Sequence, residues 1–360
     1  MRLGILIFGS LETLTGGYLY DRKLVEYLRC RGHEVEVIAK PYHSYPRHLL
    51  DNFSPSLVGQ LRRLPLAILL QDELDHPALF LLNRRLRAKV SFPIISIVHH
   101  LRSNERRSTW QNRFYRYIEH NYLMTLDGFV FNSQTTRRAV ESIIGTERPS
   151  VVAYPGGDRL PINITEREIA ARAKHPGPLR VVFVGNVIRR KELHALLAAL
   201  AQLPRGTCTL AVIGSLFVDK RYVSAIRHQV AESGLADRVV FLGSIPDTEL
   251  AVQLRESHVL AVPSSYEGFG IVYLEGMAAG LPAIASTAGA TAEIVTHGTN
   301  GFLIQAGDTA SLVHCLRDLS QDRDRLLSMS LNARRCFESS PTWQMTAERI
   351  LMFLETIAKK

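Results

Sequence analysis

Cysteine is scarce in this chain. Its four residues, Cys30, Cys208, Cys315 and Cys336, lie far apart with no C-x-x-C pair, which excludes a zinc ribbon and a disulfide framework and fits a reducing compartment. Long apolar runs are missing as well: none approaches the roughly 18 residues needed to span a bilayer. The opening MRLGILIFG reads as a buried strand, without the apolar h-region and small-residue cleavage site of a secretory signal. The expectation is a cytoplasmic protein. No zinc-finger spacing, RNA-recognition signature or basic-region heptad occurs, so nucleic acid is not an expected partner. The loop after the first strand lacks G-x-G-x-x-G, which argues against a nicotinamide-dependent oxidoreductase.

What is present points to a soluble, globular, two-domain protein. The 360 residues are about twice a usual single domain, and 46% hydrophobic with 21% charged residues is ordinary for a globular chain. The net charge of +9 is unevenly spread, with +8 in residues 1–175 and +1 in 176–360. Basic clusters at Arg62/Arg63, NRRLRAK (83–89), LRSNERRS (101–108) and Arg113/Arg116 suit anionic headgroups or a phosphorylated acceptor; the plain alternative is solvated helix faces. Apolar-basic text, PLAILL beside Arg62/Arg63 and LFLLNRRLRAK, raises the expectation of peripheral contact with the inner face of an anionic membrane.

Strand and helix signals alternate along the chain, the pattern of a parallel sheet covered on both faces. The first half gives strands at 3–8, 32–39, 66–72, 92–100 and 128–133, with helices at 18–31, 110–125 and 134–144. Proline- and glycine-rich text at 155–178 reads as a linker. A second cycle follows, with strands at 180–187, 208–214, 239–244, 258–265 and 282–286 and helices at 191–201, 221–233, 247–256 and 271–280. The expected fold is α/β, two tandem Rossmann-like doubly wound domains with a cleft between them, residues 1–174 and 175–340, followed by a terminal helix at 341–360. Ligands of such sheets bind at the carboxyl ends of strands.

The segment EGFGIVYLEGMAAG places Glu267 on a loop after a strand and Glu275 about one turn inside the next helix. Gly268 and Gly270 allow close backbone approach, and a helix N-terminus offers free N–H donors. Carboxylates repel phosphates and accept well from paired hydroxyls, so sugar and ribose are the expected ligands. For an arbitrary pair of glutamates, solvated surface charge would be the simpler reading.

This segment resembles the E-x7-E signature of the retaining family 4 glycosyltransferases, which have the two-Rossmann GT-B fold. VVFVGNVIRRKELHALLAAL, RVVFLGSIPDTEL, GATAEIVTHGTNGFLI and AGDTASL resemble other segments of that family in the same order; in the first half, TGGYLYDRKLVEYLRCRGHEVEVIA and PIISIVHH are similar to its glycine loop and to a strand ending in histidine. The resemblance implies transfer of a hexosyl group from a nucleoside-diphosphate sugar to an acceptor hydroxyl. Glu275 would then hold the ribose and Glu267 the transferred sugar, with backbone donors from Phe269, Gly270 and Ile271. Lys191 would bind the diphosphate with Arg190, Gly16 and Gly17 would close over it, and His99 would contact the donor sugar.

Asn186 stands where the family commonly has arginine, Gly276 replaces the alanine of EAMA, and Gly289-Ala290 replaces a Gly-Gly pair. No cofactor or metal is implied; the adjacent His99 and His100 would face opposite ways on a strand. A nucleotide-sugar epimerase or a non-catalytic nucleotide-sugar-binding protein would share the same pocket.

Overall fold

The computed structural model describes residues 1–13 and 15–359. The chain divides into two compact units, residues 1–155 with 341–360, and residues 156–340. The boundary expected at 174/175 therefore falls earlier. The reason is local: the supposed linker contains a helix, Glu166–Lys174, started by a reciprocal capping box in which Thr165 and Glu168 satisfy each other's backbone N–H groups.

In the first unit, β1 (Arg2–Phe8), α1 (Gly16–Cys30), β2 (Glu34–Lys40), α2 (Tyr45–Asp51), α3 (Pro55–Arg63), β3 (Ile68–Asp72), α4 (His76–Leu79), α5 (Leu82–Arg87), β4 (Ile94–Val98), α6 (Thr109–Leu123), β5 (Gly128–Phe131), α7 (Gln134–Ile144) and β6 (Ser150–Val152) follow in order. The strands form one parallel sheet ordered β2-β1-β3-β4-β5-β6. Central strands β3 and β4 are buried along their whole length, as strands sandwiched between helix layers must be. Helix boundaries follow from chemistry already visible in the sequence: Ser133 caps α7 by accepting from Thr136 N at 3.0 Å, and Gly145 ends it at φ 65°.

The second unit runs α8 (Glu166–Lys174), β7 (Leu179–Val184), α9 (Leu193–Ala201), β8 (Cys208–Ile213), α10 (Lys220–Glu232), β9 (Val239–Gly243), α11 (Asp247–Glu256), β10 (Val259–Val262), α12 (Ile271–Ala278), β11 (Ala283–Ser286), β12 (Gly301–Ile304), α13 (Thr309–Gln321) and α14 (Arg323–Glu338). Its sheet order is β12-β11-β10-β7-β8-β9, all parallel. The chain winds outward from β7 through β8 to β9, then returns to β10 on the other side. The switch point thus lies between the carboxyl ends of β7 and β10, where ligands of open α/β sheets bind. The last helix, α15 (Trp343–Ala358), belongs to the first unit; Thr346 Oγ1 donates to Tyr154 O at 2.6 Å, and Trp343 packs edge-on to Tyr20.

The two apolar-basic segments also weighed for membrane contact turn out to be core. PLAILL supplies Leu66, Ile68, Leu69 and Leu70, all buried, and in LFLLNRRLRAK both Leu82 and Leu86 are buried. The predicted helix 191–201 begins at Leu193, after a 3-10 turn at 189–191 and Glu192 in the left-handed region at φ 52°.

Gly276 has a packing reason that propensity hides. A Cβ there would sit 2.8 Å from Leu260 Cδ2 and 3.3 Å from Leu260 Cβ, so α12 lies almost directly on β10. Alanine should gain about 0.5–1 kcal/mol of helix propensity yet lose about 1–3 kcal/mol to overpacking. Gly276→Ala is therefore expected to lower the unfolding midpoint; a raised midpoint in a urea melt would show that Leu260 yields freely.

Candidate functional site

Lys191 and Asn186 follow β7, and Ser264 to Glu267 follow β10, so the switch point of the second sheet collects the residues that the sequence pattern singled out. Glu267 is buried there. Its Oε1 accepts from Lys191 Nζ at 2.5 Å and from Ser264 Oγ at 2.6 Å, while Arg190 Nη1 lies 3.6 Å from Oε2. Burial alone would raise the Glu267 pKa; the Lys191 and Arg190 charges and the bonds from Lys191 and Ser264 overcome it and hold the pKa at about 2. Burial acts on Lys191 in the opposite sense for the same reason, pulling the ammonium below its ordinary pKa, against the attraction of Glu267.

The backbone around Glu267 is fixed from two sides. Arg190 Nη1 donates to Tyr266 O at 2.6 Å, and Ser265 N donates to Arg190 O at 2.8 Å, tying the loop after β10 to the turn after β7. On the other flank, Ala290 N donates to Glu267 O at 2.9 Å, and Gly289 bridges Glu267 in parallel fashion. Behind Lys191, a Cβ on Gly185 would meet its Cε at 3.3 Å, so the glycine ending β7 leaves room for the lysine stem to fold back.

Glu275, on the first turns of α12, does not share these partners. Arg159 Nε donates to its Oε1 at 2.7 Å and Arg159 Nη1 pairs with Asp247. Among the described residues, Glu275 Oε2 has no protein hydrogen bond. Burial raises the Glu275 pKa more than Arg159 lowers it. Neither glutamate is the solvated surface charge that its loop-and-helix position allowed.

Sequence reasoning missed Arg159, which lies 116 residues before its partner, in text read as linker. Its only signal was a lone arginine among Pro and Gly. At the start of α12, Gly270 sits at φ 99° with no side chain capping the helix. A Cβ at Gly270 would come within 2.5 Å of the Tyr273 ring, so the turn that carries Phe269, Gly270 and Ile271 requires this glycine.

The remaining predicted residues gather on the first unit. His99 is buried just beyond β4, with Nε2 3.3 Å from Asp21 Oδ1 and 4.0 Å from Asp72 Oδ1. Although burial disfavours its charge, the two aspartates raise its pKa to about 9. Gly17 closes on the same ring, since a Cβ there would stand 3.2 Å from His99 Cδ2; Gly16 starts α1 beside it. His100 turns instead to Glu105 at 3.1 Å. The two histidines diverge as expected, though both lie past the strand rather than on it.

Two buried triads, Asp21–Asp72–His99 and Glu73–His76–Glu119, have ligand-type atoms within 4.8 Å of one another. In the first, His99 Nε2 already faces both aspartates, at 3.3 Å from Asp21 and 4.0 Å from Asp72.

Two α/β units, one with a buried cation–carboxylate pair at its switch point, belong to the doubly wound class of parallel sheets. Comparison with known proteins narrows this. Residues 165–336 match the family model described as Glycosyl transferases group 1. The chain is 31% identical over 241 residues to the D-inositol 3-phosphate glycosyltransferase of Nocardia farcinica, covering 65% of this chain but only 53% of that protein. It is 26% identical to the phosphatidyl-myo-inositol mannosyltransferase of Mycobacterium leprae, over 99% of this chain and 97% of that one. In fold it is similar to sucrose-phosphate synthase from Thermosynechococcus elongatus, with TM-score 0.81 at 22% identity over the full length of both chains. The architecture is that of the GT-B glycosyltransferases.

Proposed function

We propose that this protein is a retaining hexosyltransferase of family 4, which moves a sugar from a nucleoside diphosphate to an acceptor hydroxyl. The observation that carries the reading is the buried Lys191–Glu267 pair at the switch point of a sheet whose segment matches the group 1 glycosyl transferases. A donor laid across the ends of β7 and β10 meets Lys191 at its diphosphate, Glu267 at its sugar and Glu275 at its ribose.

Each role follows from the local chemistry. The Lys191 ammonium neutralises charge building on the departing diphosphate, and a cation fixed in a buried setting does so with little reorganisation. Asn186 offers amide donors where an arginine would offer charge, and Arg190, already turned to the Glu267 loop, supplies a second positive group. Glu267 is held ionised and accepts from sugar hydroxyls. Glu275 keeps Oε2 for the ribose while Arg159 holds Oε1, and the backbone of Phe269, Gly270 and Ile271 donates from the uncapped start of α12.

On the first unit, Gly16 and Gly17 let the α1 loop approach the diphosphate, and the His99 imidazolium donates to the donor sugar. The acceptor hydroxyl attacks from the face that the diphosphate leaves, and a leaving phosphate oxygen takes its proton. The lysine supplies the cation, so the reading calls for no metal or other cofactor. The likeness to a phosphatidyl-myo-inositol mannosyltransferase supports a lipid-linked acceptor and a peripheral seat on an anionic membrane. Among the described residues no helix is long and apolar enough to cross a membrane.

A thermal-shift panel of UDP, GDP, ADP, their sugar conjugates and NAD(P)H tests the donor site. Binding at a hundredfold excess over Kd adds about 2.7 kcal/mol to stability. One diphosphate series should stabilise the wild type and stabilise Glu275→Ala much less; a flat panel, or a response to NAD(P)H alone, would overturn the assignment. Labelled sugar that leaves the nucleotide only when acceptor is added separates transfer from epimerisation and from binding without catalysis.

A further inference from the structure

The guanidinium of Arg159 is shared between two carboxylates, one buried and one at the surface. An arginine that faces a carboxylate ordinarily makes two parallel N–H bonds to its two oxygens. Arg159 makes one. Its Nε donates to Glu275 Oε1 at 2.7 Å, and its Nη1 turns away to Asp247 Oδ1. The Arg159 and Glu275 side chains are largely buried, at 15% and 6% exposure, whereas that of Asp247 is 55% exposed.

The three groups come from separate segments of the second unit, and each is placed by its own backbone. Arg159 lies two residues past Gly157, where a Cβ would stand 2.9 Å from Leu274 Cβ, so the arginine leaves a backbone pressed against α12 just before Glu275. Asp247 opens α11, behind Pro246. An acid there is favourable against the positive end of a helix. Glu249, in the same turn, offers that charge with no hydrogen bond or ion pair of its own among the described residues. The start of the helix therefore does not by itself account for the reach of Asp247 to Arg159.

We propose that Asp247 is a positioning residue for the nucleotide: by engaging Arg159 Nη1 it restricts the guanidinium to one oxygen of Glu275 and leaves Oε2 as an acceptor for ribose hydroxyls. The inference rests on the reading that Glu275 faces the ribose. Asp247 itself touches no ligand. Without its carboxylate, Arg159 turns onto both oxygens of Glu275, the pairing that its planar fork favours, and the ribose meets a carboxylate already engaged. The site then loses its discrimination between a ribonucleotide and an analogue that lacks those hydroxyls, while Lys191 keeps its place for the diphosphate.

Isothermal titration with UDP, GDP and ADP, each beside its 2′,3′-dideoxy counterpart, reads this directly. For the base that the wild type prefers, the ribose form should bind roughly ten- to a hundredfold more tightly, the usual effect of a hydrogen bond to a charged group. Asp247→Ala truncates an exposed side chain and should keep its melting temperature, yet lose most of that preference by weakening the ribose form alone. Asp247→Glu should restore it. In an Arg159→Lys background, where no fork is left to turn, Asp247→Ala should change nothing further. A wild type that binds none of these nucleotides, or does not distinguish ribose from dideoxyribose, would overturn the ribose reading and this inference with it. Wild-type preference retained in Asp247→Ala, or equal weakening of both forms, would overturn the inference alone and leave Glu275 on the ribose.

Discussion

Replacing Lys191 with alanine is expected to lower turnover by about 10²- to 10³-fold, the usual loss when a fixed group that stabilises transition-state charge is removed. The same change strands Glu267. Breaking a buried pair on one side costs about 3–5 kcal/mol, so the variant should also melt earlier and raise the Glu267 pKa. The pH dependence supplies a second readout. In the wild type the folded-state pKa of about 2 lies below the ordinary 4.5, so ionised Glu267 contributes stability that is complete above 4.5 and is lost as pH falls toward 2. Burial of the Lys191 ammonium offsets part of that gain. Without Lys191 the carboxyl protonates at higher pH, and the acid limb of the stability profile should move upward. Transfer assays with saturating donor, and melts across acid pH, check both. Wild-type turnover in a folded Lys191→Ala protein would remove the lysine from the mechanism.

Gly289→Ala should be the most damaging single methyl added to the second unit. Its Cβ would stand 1.9 Å from Glu267 O, a backbone atom with no rotamer to escape into, and Gly289 lies at φ 85°. A left-handed residue costs about 1–3 kcal/mol for a non-glycine side chain, and the clash forces the Glu267 loop away from the strand beside it. The expected outcome is a loss of about 4 kcal/mol or more, with donor-induced stabilisation gone in any protein that still folds, because the loop that displaces is the one carrying Glu267. Gly298→Ala is the control: it too has positive φ, at 78°, but nothing within 4 Å of its Cβ. It should cost only the backbone strain. Equal melting temperatures for the two variants would show that the contact with Glu267 O is unimportant.

Much of the second unit was legible in its sequence, and the reason is that its signals are local. Strand-length apolar runs alternate with amphipathic helices at crossover spacing, and that alternation yields a parallel sheet by itself. The seven residues between Glu267 and Glu275 similarly place one acid on a loop and the other in a helix. Gly270 likewise marked a close backbone approach, and it sits at φ 99° where α12 begins. The sequence also singled out Lys191 and His99, although not what surrounds them.

What only the tertiary structure decided are relations between residues far apart in the chain. Arg159 and Glu275 are joined across 116 positions, and His99 and Asp21 across 78; hydrophobic periodicity carries no information about such distances. The orientation of apolar text was equally hidden. The helix expected at 110–125 did not tell which of its aromatics meets the sheet: Tyr122 is buried while Trp110 and Tyr117 face outward, because a covering helix buries one face. The outer strands β6 and β12, three and four residues long, were too short to stand out from loop text; they are strands because a neighbouring strand was there to pair with.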